Sequence, residues 1–198
     1  AWYEETVRPA SLALGRQYFD RCPDRPITIL LFQDEATYRA EAERLFGDRE
    51  ISRHGYYRPH LHTILVNISD GPSALLHELT HALMAFDFSE APAWLREGLS
   101  TLYEDCRIDA ASASLVPHSK SRRRTLEEAL RRGRLPSLES LLRETRFDGP
   151  DRPIYYALAR HFCFYLEQHG EMASVYRAVR AAEGDAADGM ATILHVLK

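Results

Sequence analysis

Two spacings of apolar residues run along this chain, one of strands and one of helices. The unbroken apolar and β-branched run from Ile27 to Phe32 predicts a buried strand. A second β segment is predicted over roughly Gly55 to Ser69, where Tyr56-Tyr57-Arg58-Pro59-His60 gives way to Thr63-Ile64-Leu65-Val66-Asn67-Ile68. Proline has no N–H to donate, so Pro59 argues against a central strand there and for a hairpin or edge strand. Helical spacing predicts an opening helix from Pro9 to Asp20 and another from an Asp34 cap through Phe46, ended near Gly47. Gly71-Pro72-Ser73 reads as the turn into a further helix.

That helix has the clearest phase in the chain. Measured from Leu79 at about 100° per residue, Leu75, Leu76, Ala82, Leu83 and Phe86 gather within about 60° of it, while His77 and His81 fall near 160° and 200°. One face packs and the opposite face carries two imidazoles one helical turn apart. His77-Glu78-Leu79-Thr80-His81 is the only HExxH in the sequence. At that spacing two histidines meet one metal ion, and the glutamate between them reaches the water that the metal activates.

A catalytic zinc takes three protein ligands and keeps a fourth position for water, so a third donor is expected. The segment from Phe86 to Pro92 breaks the helical pattern, and Pro92 can open a second helix from Ala93 to Cys106. On it Leu95, Leu99, Leu102 and Cys106 form one face, roughly opposite Glu97, with Thr101 and Glu104 near the Glu97 side. Glu97 is the favoured third ligand, with Glu90 and Glu104 as alternatives.

The stretches His77 to Leu83 and Pro92-Ala93-Trp94-Leu95-Arg96-Glu97-Gly98-Leu99-Ser100 resemble the gluzincin metallopeptidases, thermolysin-like and aminopeptidase-like enzymes among them, and most closely their small bacterial relatives. The resemblance covers about residues 55 to 106, with a looser likeness at 27 to 46 and 150 to 170. It implies a zincin-like fold, zinc held by His77, His81 and Glu97, Glu78 as general base, and a peptide or protein substrate. Three departures stand out. Fifteen residues separate His81 from Glu97, fewer than in the large aminopeptidases. Thr101 stands where thermolysin-like enzymes place an aspartate that orients a zinc histidine. Nothing before His77 matches the Gly-x-Met-x-Asn motif of the aminopeptidases, so the reading is endopeptidase rather than amino-terminal trimming.

Beyond Cys106 an alanine-rich continuation from Ile108 to Leu115 ends at Val116-Pro117, and the remainder reads as mostly helical. Helices are predicted from Thr125 to Arg132, from a Ser137 cap through Arg143, and from Pro153 to Gln168 with Gly170 as the stop. The expected architecture is α+β: one catalytic domain over 1–198, with a mixed α/β lobe at 1–70, the zinc-binding helices at 71–106 and a helical lobe at 107–198.

Composition narrows the partners. With 45% apolar residues in 198, the chain can bury a core without cross-links, and Cys22, Cys106 and Cys163 lack metal-ligand spacing and read as small buried side chains. The net charge of -4 argues against nucleic acid. The basic stretch Lys120 to Arg124, with Arg131, Arg132 and Arg134, reads first as a solvated face that clasps acids such as Glu127, Glu128 and Glu139. No run approaches 18 apolar residues, so no membrane span is expected. The opening Ala1-Trp2-Tyr3 lacks methionine, from which a removed leader or upstream segment is expected; export and cytoplasm both stay open, as does the oligomeric state.

Peptide hydrolysis also needs a donor for the charge that develops on the carbonyl oxygen. The gluzincin resemblance implies a tyrosine or histidine. Tyr155 and Tyr156 are candidates because they open the last predicted long helix, and His161 on the same helix is a third. Leu158, Ala159, Phe162 and Leu166 lie on the side of Tyr155, which favours burial for Tyr155 and leaves Tyr156 more available. Tyr56, Tyr57, His60 and His62 are further candidates. The expected activity is zinc-dependent hydrolysis of peptide bonds; the alternative is a peptidase-like binding or regulatory domain that keeps zinc with little turnover.

Overall fold

Local chemistry sets the element boundaries in the computed structural model, which describes residues 2–109, 112, 114–118, 120–182 and 193. A π-helical turn at Tyr3–Val7 runs into α1, Arg8–Gln17. Strand β1, Thr28–Phe32, precedes α2, Glu35–Phe46. The Asp34 carboxylate accepts from the Thr37 N–H at 2.8 Å, capping the first turn of α2, and Gly47 ends the helix at a φ of 73°, open to glycine without strain.

The predicted second β segment splits in two. Strand β2, Gly55–Arg58, gives way at Pro59 to a 3-10 turn, Pro59–Leu61, before β3, Thr63–Asn67. The sheet order is β1-β3-β2, with β3 parallel to β1 and antiparallel to β2. Pro59 therefore stops an edge strand, and the run after it forms the central strand, buried at all five positions.

Contacts divide the chain into two units, Ala1–Asp87 with Ile108–Leu115 and Phe88–Arg107 with Val116–Lys198. In the first, α2 covers one face of the sheet, packing Tyr38 and Ala42 on Leu30, Phe32, Tyr56 and Leu65. Helix α3, Ser73–Asp87, packs against β2, β3 and α1. Its predicted apolar face is buried at Leu75, Leu76, Leu79, Ala82 and Leu83, each buried leucine worth about 2 kcal/mol, and Phe86 is half-buried. Leu79 and Leu83 also line a cavity of about 620 Å³ with Phe19, Ile29 and Leu31. That cavity lies on the side of the helix opposite the histidines.

In the second unit α4, Ala93–Glu104, is opened by Pro92 as predicted. It packs on α7, Arg152–Gln168, and on the short α6, Leu138–Arg143. Gly98 permits the approach, since a Cβ there would lie 2.6 Å from Cys163 Sγ and 3.0 Å from the Ala159 carbonyl oxygen. Ser137 caps α6 by accepting from the Ser140 N–H at 3.1 Å. Helices α5, Arg123–Arg131, and α8, Met172–Ala181, complete the unit's helices among the described residues.

Several expectations are corrected. Helix α4 stops at Glu104, and Cys106 begins β4, Cys106–Asp109, which pairs with β5, Ser114–Pro117, in a two-stranded ribbon. At the two ends of the segment expected to continue the helix, Ile108 and Asp109 and then Ser114 and Leu115 are thus strand residues, while the predicted positions 110, 111 and 113 lie outside the described residues. Of the cysteines, only Cys163 is buried; Cys22 is exposed. The basic stretch does clasp acids: Arg123 pairs with Glu127 at 2.7 Å and Arg132 with Glu128 at 2.5 Å. The architecture is mixed helix and strand, broadly α+β. No helix among the described residues is long and apolar enough to cross a membrane.

Candidate metal centre

His77 and His81 project from successive turns of α3, as the i, i+4 spacing requires. Their Nε2 atoms lie 3.0 Å apart and their rings meet edge to face, with centroids at 4.7 Å. Glu78, half-buried between them in sequence, leaves the same helix about 100° from His77 and about 60° from His81. His77, His81 and Glu97 each offer one ligand atom, and the three atoms lie within 4.8 Å of one another; no other group of His, Cys, Asp or Glu does so among the described residues.

The donor set can be tested against zinc. Bonds of about 2.0 to 2.2 Å in a tetrahedron put donors roughly 3.3 to 3.5 Å apart. The imidazole pair, at 3.0 Å, is within a few tenths of an ångström of that. Two neutral imidazoles and one carboxylate are also the chemistry of a catalytic zinc site, so the residues fit a metal. The competing glutamates stand elsewhere: Glu104 takes a forked pair of bonds from Arg122 at 2.8 and 3.1 Å, and Glu90 is exposed.

Helix α4 is buried nearly all round, so the Glu97 side does not face solvent as a packed-face-and-open-face helix would. The Glu97 side chain is only 13% exposed, with Arg96 Nε 3.4 Å from Oε1. Thr101 is fully buried, and its hydroxyl donates back along its own helix to the Glu97 carbonyl at 2.6 Å. It therefore does not do the work of the aspartate whose position it takes in the resemblance.

The three candidates on α7 part company. The Tyr156 hydroxyl lies beside Glu97 and the Arg152 guanidinium; burial first, then the Glu97 charge, pushes its pKa up to about 12, with Arg152 opposing, so it stays a donor near neutral pH. Tyr155 turns to α6, its hydroxyl 3.2 Å from Ser140 Oγ and its ring stacked on Phe147 at 5.3 Å. His161 lies 2.7 Å through Nδ1 from the Ala157 carbonyl, and its buried Nε2 has no hydrogen-bond partner among the described residues. In the sheet segment, Tyr57 is 3.3 Å from His62 Nδ1, and His62 stacks on Phe86 of α3 at 4.8 Å. Tyr56 is bound to Asp48 at 2.5 Å, and His60 is exposed.

Of two residues beside Tyr156, Arg152 was not singled out from sequence and Arg122 only as part of the basic stretch. The guanidinium carbons of Arg152 and Arg122 lie 5.3 and 5.5 Å from the Tyr156 ring centroid. Arg152 could have been found, because it stands four residues before Tyr156 on one helix face. Arg122 could not, since only tertiary packing brings it there. Comparison with known protein families, curated proteins and solved structures gives no match.

Proposed function

We propose that this chain is a zinc-dependent peptide hydrolase with a zincin-like fold, in which His77, His81 and Glu97 hold the metal. The convergence of two imidazoles and a carboxylate, from the only HExxH helix and from the helix after it, carries the reading. The sheet packed on α3 and the gluzincin-like motif residues support it.

Bound zinc would supply Lewis acidity, lowering the pKa of a water toward about 7 and polarising the scissile carbonyl. Glu78 then accepts the proton of the attacking water and returns it to the leaving nitrogen. A glutamate retained between the two histidines suits this role and has no use in a purely structural site. Tyr156 is the best-placed donor for the developing oxyanion, because its protonated hydroxyl lies beside the Glu97 ligand. Tyr155 and His161 are less suited, since one is tied to Ser140 and the other faces its own helix through Nδ1.

The test combines metal content with cleavage. Zinc-loaded protein should hold one metal per chain and cut members of a diverse peptide library, read by mass spectrometry, while H81A and E97A should lose both. Full zinc content in E97A would remove Glu97 from the ligand set. A chain that binds zinc through all three residues and cuts nothing would be a binding or regulatory domain instead.

A further inference from the structure

The charges around Tyr156 do not balance in pairs. Asp148 is held by Arg146 at 2.7 Å, Asp151 is paired with Arg134, and Glu104 takes both donors of the Arg122 fork. Arg152 is left over. No ion pair is seen for it among the described residues; its side chain hydrogen-bonds the Tyr156 hydroxyl, and the residue is exposed. It lies against the Tyr156 ring at 5.3 Å and close enough to Glu97 to feel its charge.

An exposed arginine beside a candidate metal ligand, with Asp148, Asp151 and Glu104 engaged elsewhere, suits a ligand anion. Its planar fork of N–H groups matches a carboxylate through two parallel bonds, which lysine cannot reproduce. Arg122, on the same ring at 5.5 Å and neutralised by Glu104, adds a wall and no unbalanced charge. We infer that Arg152 is a specificity-determining residue that binds a substrate carboxylate beside the scissile bond, so that the chain selects peptides with an acidic group there. This rests on the peptide-hydrolase reading for its substrate class. The carboxylate can belong to an aspartate or glutamate side chain or to the peptide C-terminus.

Equilibrium binding separates these sources and needs no turnover. Three fluorescently labelled peptides of one neutral sequence are titrated by anisotropy into zinc-loaded E78Q protein and into metal-free protein: an amidated form, the same form with one internal glutamate, and a form with a free C-terminus. At least one acidic form should bind about ten-fold more tightly than the neutral amide, the scale of one charge-assisted contact. R152Q in the E78Q background should abolish the preference, and R152K should keep part of it. The form that gains affinity identifies the source. Equal binding of all three peptides, no binding of any, or a preference that survives R152Q in protein with wild-type circular dichroism overturns the inference. If wild-type protein cuts no peptide yet the Arg152-dependent preference persists, the hydrolase reading fails and the carboxylate subsite stands.

Discussion

Replacing Gly98 by alanine puts one methyl group at the tightest point between α4 and α7. That methyl would meet Cys163 Sγ at 2.6 Å and the Ala159 carbonyl oxygen at 3.0 Å, about 0.8 and 0.4 Å inside ordinary contact. Neither neighbour gives way easily: Cys163 is fully buried, and the carbonyl belongs to the α7 backbone. Alanine gains about 1 kcal/mol of helix propensity over glycine, while overpacking a close-packed contact costs about 1 to 3 kcal/mol or more. With neither neighbour able to yield, the overpacking cost sits at the upper end of that range, about 2 to 3 kcal/mol, and G98A should lose about 1 to 2 kcal/mol net in urea unfolding. Since Glu97 is the adjacent residue, zinc affinity should fall as well. Adding C163A removes the worst clash, so the double variant should be more stable than the sum of the single losses by about 0.5 kcal/mol or more. A G98A protein as stable as wild type, with additive behaviour in the double variant, would refute the close approach of the two helices.

Y156F should keep zinc content and the unfolding curve unchanged while lowering the rate of peptide cleavage about 10²-fold, the scale of one lost oxyanion donor; a normal rate in Y156F with a large loss in Y155F would move the role to Tyr155. Burial holds the His161 pKa below 6.5, so the unfolded chain binds the extra proton first as pH falls. The His161 contribution to stability is therefore complete above about pH 7 and declines below pH 6.5 until the folded pKa is passed. Melting temperatures of H161Q should accordingly fall less than those of wild type between about pH 7 and 5, and parallel curves would contradict the buried neutral imidazole.

What the sequence revealed was local. Asp34 and Gly47 bound a helix because a cap and a left-handed stop act within a few residues. The histidine pair was legible for the same reason, since i and i+4 share a face whatever surrounds the helix. Glu97 followed from phase and from the helix that Pro92 opens. Less legible was the ribbon from Cys106 to Pro117: Cys106-Arg107-Ile108-Asp109 does alternate, but the run is short and the alanines after it resemble a helix continuing. Pro59 pointed to an edge and said nothing of the central strand four residues later. The burial of Thr101, the approach at Gly98 and the separate surroundings of Tyr155 and Tyr156 depend on what α7 and α6 bring to α4. Spacing within one helix carries no record of that.

The role of Glu78 is the most direct test of zinc-dependent hydrolysis at this site. E78Q keeps the shape and can still hydrogen-bond a water, yet its amide cannot take the proton at neutral pH. Zinc content and peptide cleavage should be measured on the same metal-loaded preparations of wild type and E78Q. The account predicts one zinc per chain in both and cleavage only by wild type. Cleavage by E78Q at the wild-type rate, with its zinc in place, would contradict it.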